Sequence, residues 1–263
     1  MKPVKTLLLG LLFAAGAVTS TLSCAQVVDI PTRSGVTQRV QLLPAPQAKA
    51  TVLLLAGGHG GLQMQQDGSV KWGKGNFLVR AAPLFVQQGV NAVIVDAPSD
   101  RQTPPFLSGF RQTPEHVADL KAVIAWARTN SPAPVWLIGT SRGTQSAAYI
   151  ATQLQGKDGP DGLVLTSTIL TDPKGRPVTA MDLGQIRIPT LVVHHEQDAC
   201  SHCAYSDIPA LMSKLSNAPQ KQLLSFKGGE NKGDPCEAYA YHGFNGLESE
   251  VVQQTVAWVS QPR

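Results

Sequence analysis

The residue pattern with the clearest chemical meaning is Gly-Thr-Ser-Arg-Gly at 139–143, a G-x-S-x-G motif. An apolar run at 135–138 precedes it, and small residues that favour a helix follow it. A serine on a sharp strand-to-helix turn is raised toward solvent, and the flanking glycines let strand and helix approach closely. The turn also places the hydroxyl beside backbone N–H groups that can stabilise an oxyanion. We therefore predict that Ser141 is a nucleophile for acyl transfer.

A serine hydroxyl is hardly nucleophilic at its free pKa, so a base and an orienting carboxylate must lie elsewhere in the chain. Asp198 comes just after an apolar run at 189–195, and His242 lies shortly before the last predicted helix. The chain order Ser, Asp, His is the one found with a strand–turn–helix nucleophile. We predict Asp198 as the acid and His242 as the base, with Glu196 and Asp172 as rival carboxylates.

The other histidines and the cysteines allow two further chemistries. His194, His195 and His202 lie near Glu196 and Asp198, but no common zinc-binding motif is present, so no metal is predicted. The C-x-x-C pattern at 200–203 follows a late strand and lacks a thioredoxin-like frame. A structural disulfide is therefore favoured over redox chemistry.

A glycine-rich loop at 57–61 follows the first strongly apolar run. It does not continue as G-x-G-x-x-G, because position 63 is Gln, and no phosphate-binding G-x-x-x-x-G-K-[ST] exists. A nucleotide cofactor is therefore not predicted. Instead, the loop can supply one half of an oxyanion hole, the N–H of Gly58, with the N–H of Arg142 as the other half.

The elements that must position these residues alternate along the chain. Apolar β-rich runs predict strands at 26–30, 36–43, 50–56, 91–96, 134–139, 162–168, 189–195 and 221–227. Helical spacing predicts helices at 78–88, 114–129, 145–155 and 248–260. Short apolar strands separated by helices indicate an α/β fold with a mostly parallel sheet. The long loops at 62–77 and 97–113 are expected beyond the strand ends, where ligands bind.

The first 25 residues have the pattern of a cleavable signal peptide. Lys2 and Lys5 precede an apolar run at 7–18, and Ser23-Cys24-Ala25 supplies the small residues of a cleavage site. The run is shorter than the about 20 residues that span a bilayer, so no stable membrane span is expected after cleavage. We predict export to the periplasm or the medium, with lipid attachment at Cys24 as the alternative.

The net charge argues against one class of partner. The 263-residue chain has 22 basic and 18 acidic residues, and two of the basic ones lie in the signal segment, so the remainder carries only +2. The remaining basic residues are scattered rather than clustered, which disfavours binding to nucleic acid.

From residue 27 to 263 the chain resembles the α/β-hydrolase family, in particular its small exported members without a lid. The resemblance rests on the loop at 56–61, the motif at 139–143, Asp198 and His242. It implies a single domain at 26–263, with about eight strands flanked by helices. It also implies an open site for small soluble esters or polymer-end esters. Similar hydrolases often have His-Gly at the end of the oxyanion strand, whereas this chain has Ala-Gly at 56–57, which leaves Gly58 or His59 as the donor.

The resemblance also gives the cysteines a role. A Cys200–Cys236 disulfide would tie the loop of the acid to the loop of the base, and Cys203–Cys236 is the alternative pairing. The implied activity is hydrolysis of carboxylic esters through an acyl-enzyme on Ser141. The alternatives are an amidase or peptidase on the same residues, and a non-catalytic binding protein on a hydrolase scaffold.

Overall fold

Eight strands form one sheet in the part of the chain that the structure, a computed structural model, describes: residues 25–173 and 175–261. The strands are β1 Gln26–Pro31, β2 Thr37–Leu43, β3 Thr51–Leu55, β4 Asn91–Pro98, β5 Val135–Thr140, β6 Gly162–Thr166, β7 Thr190–His195 and β8 Lys221–Phe226. Their order across the sheet is β1-β2-β4-β3-β5-β6-β7-β8. The β1–β2 and β2–β4 pairs are antiparallel, and all pairs from β4 to β8 are parallel. The mostly parallel sheet predicted from the apolar runs is therefore confirmed.

Six α-helices flank the sheet within the described residues. They are α1 Phe77–Arg80, α2 Ala82–Gln87, α3 Pro114–Asn130, α4 Gly143–Gln153, α5 Ile208–Lys214 and α6 Glu248–Val259. The helix predicted at 78–88 is two short helices, because Pro83 has no N–H to donate and occupies the first turn of α2. Helix α5 was not predicted. Its one sequence signal is Pro209 in its first turn, a position that proline favours.

The helices cover both faces of the sheet, which explains why its central strands are buried throughout. Helices α3, α4 and α5 contribute to one apolar core, and α1, α2 and α6 contribute to the other. Strand β3 shows the alternation: Leu53 and Leu55 enter the first core, while Val52 and Leu54 enter the second. The fold is thus a three-layer α/β domain.

The predicted site residues follow the carboxyl ends of parallel strands. Gly58 comes soon after β3, Ser141 directly after β5, Asp198 shortly after β7, and His242 in the segment between β8 and α6. The segment between β6 and β7 contains only two single-turn 3₁₀-helices among its described residues, so no lid domain is present there. In the described part of the chain, every helix is too short or too polar to cross a bilayer. The predicted signal peptide lies outside the described residues except for Ala25.

The close contact between α4 and β3 depends on Gly143. A Cβ atom at this position would collide with the carbonyl oxygen of Leu55. We expect Gly143→Ala to lower the free energy of unfolding by about 1–3 kcal/mol, because backbone atoms cannot yield as side chains do. Urea denaturation followed by circular dichroism measures the change.

Gly184→Ala is the matched control for this substitution. Gly184 has no left-handed backbone, and the nearest atom to a Cβ there would be 3.6 Å away. It should change the free energy of unfolding by less than about 0.5 kcal/mol. Equal effects of the two substitutions would show that the α4–β3 contact is not tight.

Candidate active site

Ser141 lies on a strained turn between β5 and α4. Its φ angle is +51°, in the left-handed region that costs a residue with a side chain about 1–3 kcal/mol. The turn is held by hydrogen bonds on both sides. The Ser141 N–H donates to the Thr166 carbonyl at 3.0 Å, and the Ser141 carbonyl accepts from the Thr144 N–H at 2.9 Å. The surrounding structure therefore supports the strain and presents the hydroxyl at the strand end.

His242 and Asp198 form a buried pair. The distance from His242 Nδ1 to Asp198 Oδ2 is 2.8 Å, and both side chains are at most 5% exposed. Asp198 Oδ1 accepts a further hydrogen bond from the Cys200 N–H at 2.9 Å. A carboxylate on Nδ1 fixes the proton there in the neutral ring, which leaves Nε2 as the basic nitrogen.

Nε2 of His242 is buried and has no hydrogen-bond partner among the described residues. Ser141 and His242 line the same cleft, but no hydrogen bond joins them in this structure. Hydrogen bonds between a nucleophile and its base are often long before substrate binds. The basic nitrogen is therefore free to accept a proton from a group in the cleft.

The segment that carries His242 is anchored at points besides Asp198. The Ser167 hydroxyl donates to the His242 carbonyl oxygen at 2.6 Å. The preceding Tyr241 ring stacks on His195, with ring centroids 4.4 Å apart. These contacts place the imidazole relative to the ends of β6 and β7.

The two rival carboxylates have other partners. Glu196 pairs with Lys227 at 3.1 Å, and Asp172 pairs with the Arg142 guanidinium at 2.6 Å. The structure thus brings Asp198, and neither rival, to the Nδ1 atom of His242.

The other five histidines have structural contacts. His59 lies between the Trp72 and Phe106 rings, with centroid distances of 3.7 and 4.2 Å. The remaining four each have a ring nitrogen within 3.1 Å of a backbone or hydroxyl oxygen; they are His116, His194, His195 and His202. Burial lowers the pKa of His194, which keeps its imidazole neutral inside the protein.

The loop after β3 lies directly against the turn that carries Ser141. A Cβ on Gly57 would be 2.9 Å from the Cβ of Ser141. Gly58 has a φ angle of +56°, is exposed, and lines the cleft together with Arg142. Within residues 25–173 and 175–261, no group accepts a hydrogen bond from the N–H of Gly58 or Arg142. Both N–H groups are thus available to a ligand oxygen.

Arg111 supports this loop on the side away from the cleft in front of Ser141, a role that no sequence motif indicates. The side chain is buried and donates to the carbonyl oxygens of Ala56 at 3.1 Å and Gly58 at 3.2 Å. It also donates to the Ser146 hydroxyl at 2.9 Å, which in turn contacts His116 Nε2 at 3.0 Å. Burial and the nearby Arg142 charge lower the pKa of Arg111 to about 9. Its place in the long loop at 97–113 was the only signal in the sequence.

The cleft in front of Ser141 has a volume of about 570 Å³. Two large apolar side chains at its edge are unusually exposed, Trp72 at 36% and Tyr239 at 52%. Isolated exposed aromatic side chains are common, but two that line one cleft offer a surface for the apolar part of a ligand.

The structure contains the Cys200–Cys236 disulfide, one of the two pairings that the sequence left open. It joins the loop of Asp198 to the segment of His242. Cys203 is a buried free thiol whose Sγ donates to the Ser167 carbonyl at 3.4 Å. Burial raises the pKa of Cys203, so the thiol stays protonated and unreactive.

Three possible metal-ligand atoms lie within 4.8 Å of one another, on Cys200, Cys203 and His242. The Cys200 sulfur is already bonded to Cys236, and a metal would need Cys203 as a thiolate. The chemistry of this set therefore does not suit a metal ion.

Loss of the disulfide should destabilise the protein. Closing a 36-residue separation contributes about 3–4 kcal/mol in the chain-entropy description. We expect the Cys200→Ala/Cys236→Ala double variant to lose about that much free energy of unfolding in urea. Cys203→Ala, which keeps the bridge, should lose only about 1 kcal/mol. Equal losses in the two variants would contradict a stabilising role for the bridge.

Comparison with protein-family models finds no match, and no curated protein sequence matches either. Solved structures do match. A cold-adapted esterase from an Arctic intertidal metagenomic library is 19% identical, with a TM-score of 0.58 over 90% of this chain and 92% of that chain. A serine hydrolase homologue from Coxiella burnetii is 16% identical, with a TM-score of 0.60 over 89% of this chain and 98% of that chain.

A third match is a serine hydrolase without a lid from Xanthomonas campestris, which is 20% identical. Its TM-score is 0.56, and the match covers 91% of this chain and 98% of that chain. At such low sequence identity, these matches are evidence for a shared fold alone. The strand order, the helices on both faces and these matches together show that this chain has the α/β-hydrolase fold.

Proposed function

We propose that this chain is an exported serine hydrolase that cleaves carboxylic esters through Ser141, His242 and Asp198. The observation that carries the proposal is the buried His242–Asp198 hydrogen bond of 2.8 Å at the cleft that Ser141 lines. This is the arrangement of base and orienting acid that acyl transfer from a serine needs. Solved structures described as an esterase and as serine hydrolases share the fold, which adds support.

In the proposed mechanism, Nε2 of His242 accepts the Ser141 proton as the serine oxygen attacks the ester carbonyl. Asp198 keeps the imidazole oriented and balances the charge of the imidazolium that forms. His242 then donates the proton to the leaving alcohol, and an acyl-enzyme remains. Water attacks this acyl-enzyme with His242 again as the base, which releases the acid and restores Ser141.

The N–H groups of Gly58 and Arg142 are the proposed donors to the oxyanion. Each is free of a partner within the described residues, and both line the cleft beside Ser141. The N–H of His59 is the weaker candidate, because Gly58 lines the cleft with Ser141 and His59 does not. The loss of one such donor typically costs about 3–4 kcal/mol of transition-state stabilisation.

Two further parts of the proposal concern substrate and location. The cleft has exposed aromatic side chains at its edge and no lid over it in the described chain, which suits small soluble esters or polymer-end esters.

Export fits the Cys200–Cys236 disulfide, because such bonds persist in oxidising compartments. We propose cleavage of the signal segment after Ala25, with a lipid anchor at Cys24 as the alternative.

Replacement of Ser141 tests the nucleophile. We expect Ser141→Ala to lower kcat for p-nitrophenyl acetate on the order of 10⁶-fold, with an unchanged circular dichroism spectrum. A fluorophosphonate probe should label the wild type and not this variant. Ser213→Ala removes an exposed hydroxyl from α5 and should retain full activity and labelling. Full activity of Ser141→Ala would overturn the assignment, and a wild type inert to both reagents would indicate a binding protein.

Replacement of the acid tests the choice of carboxylate. Asp198→Asn should lower kcat by about 10⁴-fold, because the amide stabilises the wrong tautomer of His242. Glu196→Gln, which removes a carboxylate from the same loop, should leave kcat unchanged because Glu196 pairs with Lys227 instead. Steady-state kinetics with p-nitrophenyl acetate distinguish the two variants. The reverse result would assign the acid to Glu196.

A further inference from the structure

A second pocket, which we call the arginine pocket, adjoins the cleft in front of Ser141. It has a volume of about 540 Å³, and Gly58 and Arg142 line both spaces. Its described lining contains two more arginines, Arg111 and Arg176, and one carboxylate, Asp172. The proposed oxyanion donors thus lie between the cleft in front of Ser141 and the arginine pocket.

The charges in the arginine pocket are not balanced. Asp172 is engaged by the Arg142 guanidinium at 2.6 Å, so these two charges compensate each other. No ion pair among the described residues involves Arg111 or Arg176. Among the described residues, the Arg176 guanidinium donates only to the Ala180 carbonyl, at 2.8 and 3.0 Å. Burial lowers the pKa of His59, which leaves that ring neutral and the two arginines as the net charge.

Arg111 is the stronger of the two anchors because it is buried. Its guanidinium bonds to two carbonyl oxygens and a hydroxyl, and all three are neutral groups. A buried cation without a negative partner is costly, and an anion in the adjoining space offsets that cost. Arg176 lies at the exposed side of the pocket, where the Gln112 and Gln145 side chains hold its backbone carbonyl at 2.7 and 3.0 Å.

The position of the base indicates which part of a substrate reaches the arginine pocket. The leaving alcohol must receive its proton from His242, which lines the cleft in front of Ser141 and not the arginine pocket. The ester carbonyl oxygen lies at Gly58 and Arg142 in the proposed mechanism. The acid part of the ester therefore extends past these residues, away from His242.

We propose that the arginine pocket binds a free carboxylate on the acid part of the substrate, so that half-esters of dicarboxylic acids are preferred over neutral esters. The inference rests on the proposed hydrolase function and adds the substrate class. Guanidinium groups match carboxylates in geometry and charge, and Arg111 and Arg176 are the residues that would determine this specificity.

The test compares esters that differ only in the terminal carboxylate. The p-nitrophenyl half-esters of glutaric, adipic and suberic acid are measured against p-nitrophenyl pentanoate, hexanoate and octanoate, with spontaneous hydrolysis subtracted. At low ionic strength we expect kcat/KM to be about tenfold higher for at least one half-ester than for its neutral partner. The preference should shrink as salt is added, because salt screens the exposed Arg176.

Two variants assign the preference to the pocket. Arg176→Gln should reduce the ratio of the two kcat/KM values about fivefold. Arg187→Gln removes an exposed arginine that does not line the arginine pocket and should leave the ratio unchanged. Retention of the ratio in both variants would overturn the role of Arg176 and of the pocket.

The outcomes separate this inference from the proposed function. If neutral esters are hydrolysed by the wild type and not by Ser141→Ala, the hydrolase function holds. If half-esters then react no faster than neutral esters at any of the three lengths, the carboxylate proposal is wrong. If no ester reacts and the fluorophosphonate fails to label Ser141, the hydrolase function itself is wrong.

Discussion

The hydrogen bond between His242 and Asp198 is the constraint around which the site is organised. Its two residues are 44 positions apart and belong to segments that follow neighbouring strands, β7 and β8. Parallel strands bring their carboxyl ends to one edge, but a sheet alone does not fix loops of this length. The Cys200–Cys236 bond, the Ser167 hydroxyl and the stacking of Tyr241 on His195 supply further restraints. Sheet, disulfide and hydroxyl thus hold a buried imidazole in one orientation.

Much of this arrangement follows from local sequence. The apolar runs gave the eight strands within a few residues, because strands buried on both faces admit few polar side chains. The tight turn at Ser141 could be predicted, since such a turn needs glycines on both sides and this requirement is local. The order of Asp198 and His242 along the chain followed from the same architecture.

Other features depended on tertiary contacts that no local pattern records. Whether Glu196 or Asp198 meets His242 is decided by the direction of a short loop, and Lys227, directly after the next strand, engages Glu196. Arg111 has no motif, and its partners Ala56 and Gly58 lie more than fifty residues earlier. Helix α5 has only seven residues, and the turn-forming residues around it made the segment resemble a loop. In each case the missing information is a contact between distant segments.

The place of β8 in the sheet has a consequence for how the site fails. This strand is an edge strand with a single neighbour, β7. All of its residues except Phe226 are exposed or only partly buried. Edge elements open locally at a lower free energy than the whole domain unfolds. Opening of β8 alone would release one end of the segment that carries His242 while the central strands remain intact. The disulfide and the Ser167 hydroxyl then limit how far His242 can move from Asp198, so the pair can survive a local opening that unpairs the edge strand.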